Sequence, residues 1–242
     1  MMANMILCKH NHDLTKCTEC REMYPPQLVS WLGWSNFQKS VGTYHVTDIV
    51  SCLRRAFYQF TRPSPESIDS LWMKQRGRML HSITRAFGWR ELPVRMAVNH
   101  NDKTIELVGH IDAYDPEKGI IYDFKTTSFL TWQLEKRKLP HEHHVRQIQA
   151  YDVLLSDYGF PVNRLELWYM DDRTPPLRIV VRREDIKKWL VSRLETLHES
   201  VTKTREPRIE ASYVCRMCSF IEVCRPDICN RHLIWRHGSE VR

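Results

Sequence analysis

The stretch from residue 105 to 127 alternates between apolar and polar side chains, which predicts two β-strands. Both arms are rich in β-branched and aromatic residues, and the Asp-Pro-Glu-Lys-Gly sequence between them is typical of a turn. If Pro116 to Gly119 form the loop, Ala113 lies opposite Tyr122 and Asp112 lies opposite Asp123. The pattern therefore predicts an antiparallel ribbon over 105–115 and 120–126.

This register sorts the side chains of the ribbon onto two faces. One face is apolar and suited to a core; it carries Ile111, Ala113, Tyr122 and Phe124. The other face is polar; it carries His110, Asp112, Tyr114, Asp123 and Lys125. A shift of the register by one residue would remove this separation.

Helical and strand periodicities continue on both sides of the ribbon. The predicted helices cover about 47–60, 67–87, 141–158 and 184–203, and the further strands cover about 92–99, 165–170 and 177–182. The segment from 206 onward is irregular and rich in cysteine. We expect an α/β or α+β fold in which helices flank a mixed sheet of about five strands.

The chain is basic, because lysine and arginine exceed aspartate and glutamate by seven (36 minus 29) over 242 residues. This balance favours an anionic partner, most simply nucleic acid, although each basic cluster alone is also compatible with a solvated helix face. No apolar run reaches the length of a membrane span, and the first residues lack the regions of a signal peptide. We therefore expect a cytoplasmic protein with reduced cysteines.

Two carboxylates that face each other across a ribbon repel unless a positive charge lies between them. A divalent cation such as Mg²⁺ or Mn²⁺ compensates best, because it binds carboxylates and leaves positions for phosphate oxygens. The alternative is that Asp112 and Asp123 are ordinary strand residues at the surface, with Lys125 as their ion-pair partner.

Cysteines near the C-terminus have the spacing of metal ligands, since Cys215, Cys218 and Cys224 form C-x2-C-x5-C. A fourth ligand could be Cys229 or the distant Cys52. Four thiolates suit either zinc or an iron-sulfur cluster. Scattered buried thiols are the alternative.

A second cysteine group lies at the N-terminus. Cys8, Cys17 and Cys20, with either His10 or His12, predict a small structural zinc site, and we favour His12 because it gives C-x3-H-x4-C-x2-C. The alternative is an arm without a metal.

Six short motifs occur in the order found in the CRISPR-associated RecB-like exonucleases, which the chain resembles from about residue 44 to 225. This family belongs to the PD-(D/E)xK nuclease superfamily, and the chain resembles its iron-sulfur subgroup. The motifs are Cys52-Leu-Arg-Arg-Ala-Phe-Tyr58, Gly77-Arg-Met-Leu-His81, Gly109-His-Ile-Asp112, Asp123-Phe-Lys125, Gln147-Ile-Gln-Ala-Tyr151 and the triplet Cys215, Cys218 and Cys224. The resemblance implies an α/β core of the restriction-endonuclease type with a C-terminal iron-sulfur module.

The resemblance also implies roles for particular residues. His81, Asp112, Asp123 and the carbonyl oxygen of Phe124 would bind Mg²⁺ or Mn²⁺, and Lys125 would orient the attacking water. Two further residues would position DNA and the active-site groups; these are Gln147 and Tyr151. The implied [4Fe-4S] ligands are Cys52, Cys215, Cys218 and Cys224, with Cys229 left over. We assign no metal to His141, His143 and His144.

We predict three regions: an N-terminal extension over 1–30, a nuclease core over 31–205 and a cysteine-rich region over 206–242. The function implied is a DNA exonuclease, acting on single strands or DNA ends, that prepares DNA for an integrase during CRISPR adaptation. The alternatives are a recombination or repair nuclease of a virus or mobile element and an inactive DNA-binding scaffold.

Overall fold

A computed structural model describes residues 6–8, 10, 12–14, 16–33, 39–62, 66–210, 215 and 218–224. The chain divides into two compact units. The first consists of Met1–Ser40, Cys52–Arg76 and Glu199–Arg242, and the second consists of Val41–Ser51 and Gly77–His198. These are units of packing, so the regions expected from the sequence remain a prediction.

The described chain contains both strands and helices. The strands are β1 (Ile6–Leu7), β2 (Thr43–His45), β3 (Glu66–Ser67), β4 (Trp89–His100), β5 (Lys103–Asp115), β6 (Ile120–Thr126), β7 (Arg164–Met170) and β8 (Leu177–Val181). The α-helices are α1 (Thr18–Met23), α2 (Pro26–Gly33), α3 (Val46–Ile49), α4 (Leu53–Thr61), α5 (Ile68–Leu80), α6 (Leu130–Glu135), α7 (Glu142–Asp157) and α8 (Lys187–Thr202). A 3-10 helix spans His81–Ala86.

Within the described residues, the main sheet has six strands in the second unit, in the order β2-β5-β6-β7-β8, with β4 also paired to β5. β5 is antiparallel to β4 over nearly its whole length, so β2 and β6 share its other edge. The β2–β5 and β6–β7 pairs are parallel and the rest are antiparallel, which confirms the mixed sheet. The prediction of about five strands missed β2, because three residues are too few to show an alternation.

The apolar face of the ribbon packs as its sequence predicts. Ala113, Tyr122 and Phe124 belong to one buried cluster in the second unit. The ring of Phe87, next to the 3-10 helix, lies 4.9 Å from the ring of Tyr122 and 5.1 Å from that of Phe124. This packing fixes which way the polar face of β6 points.

Helix α7 lies against β4, β6 and β7. Nine of its residues are buried in an unbroken run from Gln147 to Leu155, which includes the polar Gln147, Gln149 and Asp152. Buried polar side chains need partners, and Asp152 has one in Arg183, at 2.8 Å from each of its carboxylate oxygens. α7 therefore brings polar groups, as well as apolar ones, into contact with the sheet.

The helix predicted over 47–60 is two helices, α3 and α4, separated by Val50–Cys52. The first helix begins one residue earlier than predicted, and the backbone N–H of His45 donates to Asp48 Oδ2 at 3.1 Å. The amide of Leu53 starts the second helix and donates to Glu210 Oε2 at 2.9 Å. The break places Cys52 at the N-cap of α4 rather than within a helix.

The first unit contains its own small hydrophobic cluster. Its buried members are Cys8, Leu14, Cys20, Leu32, Ile68 and Leu71. β1 and β3 pair in parallel beside it, over two residues each. Two short helices, α1 and α2, lie in a segment for which the sequence predicted no regular element.

None of the helices in the described part of the chain combines the length and the apolar composition that a membrane span requires.

Candidate active site

The predicted register of the ribbon is confirmed up to the residues that matter for the site. Ala113 pairs with Tyr122 and Asp115 with Ile120, across the loop at 116–119. The same register places Asp112 opposite Asp123. At this position a side chain replaces a backbone acceptor: the backbone N–H of Phe124 donates to Asp112 Oδ2 at 2.7 Å.

Four side chains of the second unit form a continuous chain of polar contacts next to Asp112. Lys125 Nζ lies 3.0 Å from Asp123 Oδ1 and 2.8 Å from its Oδ2. The same ammonium donates to Gln147 Oε1 at 2.9 Å, and Gln147 Nε2 donates to the hydroxyl of Tyr151 at 2.9 Å. Asp123 is fully buried, so its orientation is fixed by these contacts and by the sheet.

The spacing of Gln147 and Tyr151 by four residues explains their contact, since side chains at i and i+4 lie on the same helix face. Burial raises the pKa of Tyr151 well above its usual value, and the charges of Asp123, Asp112 and Glu91 add to the rise. The hydroxyl therefore stays protonated at neutral pH and can donate a hydrogen bond toward the site.

Gly109 on β5 makes room for Tyr151. A Cβ at this position would lie 2.7 Å from Tyr151 Cε1 and 3.1 Å from Val46 Cγ2, which is closer than such contacts normally come. The glycine of the predicted Gly109 to Asp112 motif thus has a steric role: it lets the tyrosine ring approach the strand.

His81 begins the 3-10 helix that follows α5. This 3-10 helix lies against β5, the strand that carries Asp112. The side chain of His81 lies outside the described part of the structure, so its predicted role as a metal ligand stays a prediction.

Three histidines at the start of α7 form a cluster of rings close to Tyr169. His144 Nδ1 is 2.8 Å from the hydroxyl of Tyr169, and the ring of His143 is 4.1 Å from that of His144. Burial lowers the pKa of His144 strongly, and the charge of Lys125 lowers it further. His144 is thus a neutral, hydrogen-bonded histidine beside the site.

Glu91 is a carboxylate near the site that the sequence analysis missed. Arg90 pairs with Ala113 and Leu92 pairs with Ile111, so Glu91 lies opposite Asp112 across the β4–β5 ladder. It has a φ of 49°, in the left-handed region that non-glycine residues seldom adopt. Such strain is often found at functional sites. The alternation of β4 gave no sign of it.

Asp112 and Asp123 could bind a divalent cation, which prefers carboxylate and carbonyl oxygens. Lys125 places a positive charge within hydrogen-bond distance of Asp123. An acidic group for a cation and a fixed ammonium beside it are the side chains that hydrolysis of a phosphodiester requires.

The first unit brings Cys52 and the C-terminal cysteines into one region. Arg54 Nε donates to the carbonyl oxygen of Pro207 at 2.8 Å, and the rings of Tyr58 and Phe220 lie 5.4 Å apart. With the contact between Leu53 and Glu210, these interactions hold the start of α4 against the segment that leads to Cys215.

The four thiols of this group are partly buried. Cys218 donates its backbone N–H to the carbonyl oxygen of Cys215 at 3.1 Å. Burial raises the pKa of the Cys52 thiol, and the charges of Glu210 and Cys215 add to that rise. Burial also raises the pKa of Cys224, and Cys218 and Cys52 contribute. Cys229 lies outside the described residues.

The N-terminal cysteines also lie close together, but the histidine beside them is His10 and not His12, which the sequence analysis favours. Among the described residues, the ligand atoms of Cys8, His10, Cys17 and Cys20 all lie within 4.8 Å of one another. His12 is exposed and is not in this group; its carbonyl oxygen accepts the N–H of Cys8 at 2.9 Å. The ring of His10, rather than that of His12, lies among the thiols.

The carboxylates and the ammonium on β5 and β6 are groups expected in a hydrolase of phosphodiesters. A sequence model of the PD-(D/E)XK nuclease superfamily matches residues 43–225, so the chain belongs to that superfamily. This assigns a nuclease fold and confirms the superfamily to which the motif order points.

Solved structures resemble the chain at low sequence identity. SSO0001 is 22% identical, with a TM-score of 0.55, and the match covers 81% of this chain and 96% of that one. The alkaline exonuclease LHK-Exo from Laribacter hongkongensis is 12% identical with a TM-score of 0.41, over 68% of this chain and 92% of that one. A phage-related exonuclease from Haemophilus somnus 129PT is 11% identical with a TM-score of 0.34, and the match covers 55% of this chain and 70% of that one. A comparison with curated protein sequences finds no match.

Proposed function

We propose that the protein is a DNA exonuclease that depends on Mg²⁺ or Mn²⁺ and cuts phosphodiester bonds at the polar face of β5 and β6. The observation that carries this proposal is the continuous set of contacts from Asp123 through Lys125 and Gln147 to Tyr151, next to Asp112. Catalytic groups work best when they are already held in position, and these contacts hold them without a ligand.

In this proposal Asp112 and Asp123 would hold the cation, and His81 and the carbonyl oxygen of Phe124 would be further ligands. The fit rests on the donor set, since the carboxylates are oxygen ligands of the kind that hard divalent cations prefer. When bound, the cation supplies the Lewis acidity that activates water and neutralises charge on the phosphate.

Lys125 places its ammonium where the scissile phosphate gains negative charge. Because the group is held between Asp123 and Gln147, its position needs little reorganisation during the reaction. Gln147 is fixed in turn by Tyr151, so the two residues on α7 act as positioning residues for Lys125.

We also propose that Glu91 adds negative charge near the cation. Its position opposite Asp112 supports this role. The variant Glu91→Gln keeps the shape of the side chain and removes its charge. We expect it to raise the Mn²⁺ concentration for half-maximal cleavage by about tenfold or less, since one exposed charge is partly screened. An unchanged Mn²⁺ dependence would remove Glu91 from the site.

DNA as the substrate is supported by the basic balance of the chain, a net charge of +7. A positive surface attracts the phosphate backbone independently of sequence. The order of the six motifs supports a role in CRISPR adaptation, in which the enzyme trims DNA ends for an integrase. Genes for an integrase and repeat arrays beside this gene would support that role, whereas replication or packaging genes would favour a viral or repair nuclease.

We propose that Cys52, Cys215, Cys218 and Cys224 hold a [4Fe-4S] cluster with a structural role. Four thiols partly buried in one region of the first unit fit a cluster of this type, and hydrolysis needs no electron transfer. The purified protein should absorb in the visible range and contain about four iron atoms per chain. Cys218→Ala should lose both the visible absorption and the iron. A colourless wild-type protein after anaerobic purification would contradict the proposed cluster.

The nuclease proposal is tested by degradation of end-labelled single-stranded and double-stranded DNA with Mg²⁺, Mn²⁺ or EDTA. Lys125→Ala should be inactive. A matched control is Lys118→Ala, because Lys118 lies in the loop of the same ribbon and pairs with Asp115 at 2.9 Å, away from the site. Cleavage in EDTA, or cleavage by Lys125→Ala at the rate of Lys118→Ala, would contradict the proposal.

A further inference from the structure

The N-terminal group of three thiols and one imidazole has the composition and spacing of a single metal site. Its ligand atoms, from Cys8, His10, Cys17 and Cys20, lie within 4.8 Å of one another. His10 Nδ1 is 3.5 Å from Cys17 Sγ and 3.6 Å from Cys20 Sγ. In a tetrahedron with Zn–S near 2.3 Å and Zn–N near 2.0 Å, sulfur and nitrogen are about 3.5 Å apart.

Hydrogen bonding alone explains this arrangement poorly. An imidazole nitrogen either donates one proton or accepts one hydrogen bond, yet two thiols approach the same Nδ1 of His10. A metal ion among the four atoms gives each of them a ligand role. The sulfur and nitrogen donors favour zinc over Mg²⁺ or Ca²⁺, which prefer oxygen.

The surroundings of the four residues have the features of a supported metal site. The backbone N–H of His10 donates to Cys8 Sγ at 3.4 Å, which stabilises negative charge on the sulfur. His10 Nε2, the nitrogen away from the thiols, lies 3.7 Å from Glu19 Oε2. Metal-binding histidines commonly direct their second nitrogen to a carboxylate, which orients the ring.

We propose that Cys8, His10, Cys17 and Cys20 bind one zinc ion with a structural role. Four protein ligands complete a tetrahedron and leave no position for substrate. Cys8 and Cys20 are buried members of the hydrophobic cluster of the first unit, so the ion would join the turn after β1 to helix α1 beside that cluster. Its four ligands are different residues from those proposed to bind the divalent cation and the iron-sulfur cluster.

The test is the metal content of the purified full-length chain, measured by mass spectrometry after dialysis against a mild chelator. The wild type should contain about one zinc per chain, in addition to any iron. His10→Ala should lose most of its zinc and keep its iron. The matched control is His12→Ala, two residues away with an exposed side chain outside the group, and it should keep zinc at the wild-type level.

His10→Cys distinguishes loss of a ligand from a general folding defect in His10→Ala. Four thiolates also bind zinc, so this variant should contain about one zinc per chain. Chelation should lower the thermal unfolding midpoint of the wild type and of His12→Ala, since metal binding is coupled to folding. A wild type without stoichiometric zinc would overturn the proposal. Equal zinc loss in His10→Ala and His12→Ala would overturn it as well, and so would iron in place of zinc.

Discussion

The two candidate metal sites of this protein are built in different ways. In the second unit, Asp112 and Asp123 lie on neighbouring strands. Lys125 contacts Asp123 directly, and Gln147 accepts a hydrogen bond from Lys125. In the first unit, the ligands come from a turn after a two-residue strand and from a six-residue helix. A sheet can position its side chains without a metal, whereas a few short elements need the metal to become stable.

This difference predicts opposite consequences of losing a ligand. Substitutions on β5 and β6 should abolish chemistry and leave most of the fold intact. Loss of a ligand from the turn or the short helix should loosen the N-terminal segment. The predictions below test this contrast.

The largest effect is expected for Asp123→Asn, which keeps the volume and one acceptor for Lys125 but removes the charge. DNA cleavage should fall by about 10³-fold or more, since cation binding contributes several kcal/mol to the transition state. The circular dichroism spectrum should remain that of the wild type. The control is Asp115→Asn on the same ribbon, an ion-pair partner of the exposed Lys118. Equal rates of DNA cleavage by Asp123→Asn and Asp115→Asn would contradict the proposed role of Asp123 as a metal ligand.

Gln147→Ala should lower kcat by about 10- to 100-fold, because Lys125 loses the contact that fixes its ammonium. KM for DNA should change little. Gln149→Ala is a matched control on the same helix, since Gln149 is also buried and donates instead to the carbonyl oxygen of Arg182. If both variants lose stability and activity alike, Gln147 serves the fold and not the site.

The ribbon shows how much of the site the sequence could predict. Its register depends on alternation and on a four-residue loop, both local, so the pairs of Ala113 with Tyr122 and Asp115 with Ile120 were predictable. The contact of Gln147 with Tyr151 follows from helical spacing. The roles of these residues are implied by the resemblance rather than by the periodicity.

Other features depend on contacts between distant residues, which no periodicity shows. The break before α4 follows from the contact of Leu53 with Glu210, over 150 positions later in the chain. The choice of His10 over His12 depends on the path of a short turn that any spacing rule leaves open. Glu91 was missed because its left-handed backbone has no signature in an ordinary strand sequence.

A smaller effect is expected for Gly109→Ala. The added methyl group meets Tyr151 at 2.7 Å, and relief of such overlap costs about 1–3 kcal/mol in the free energy of unfolding. Cleavage should fall together with stability because Tyr151 moves. Gly77→Ala in α5 is the control, since its methyl group meets only Thr126 Oγ1 at an ordinary 3.6 Å. Urea unfolding should show a loss for Gly109→Ala and no loss for Gly77→Ala.

The smallest effect concerns acid stability. Burial opposes ionisation of Asp171, but hydrogen bonds from Arg173, Thr174 and Leu130 outweigh it and lower its pKa to about 2. A lowered pKa contributes stability above the unfolded value near 3.9, and this contribution is lost as pH falls toward 2.

Asp171→Asn should therefore be less stable than the wild type at pH 6. The difference in free energy of unfolding between the two proteins should become smaller between pH 4 and 2. Urea midpoints at several pH values measure this. A constant gap across the range would show that the carboxylate charge does not contribute.

The proposed activity depends on a divalent cation bound by the carboxylates of β5 and β6. The most direct measurement titrates Mn²⁺ into the wild type and into Asp112→Asn, following binding by electron paramagnetic resonance and cleavage of end-labelled DNA in the same samples. The account predicts that the wild type binds Mn²⁺ and cleaves over the same concentration range, and that the variant loses both. Wild-type cleavage by Asp112→Asn, with an unchanged Mn²⁺ midpoint, would contradict it.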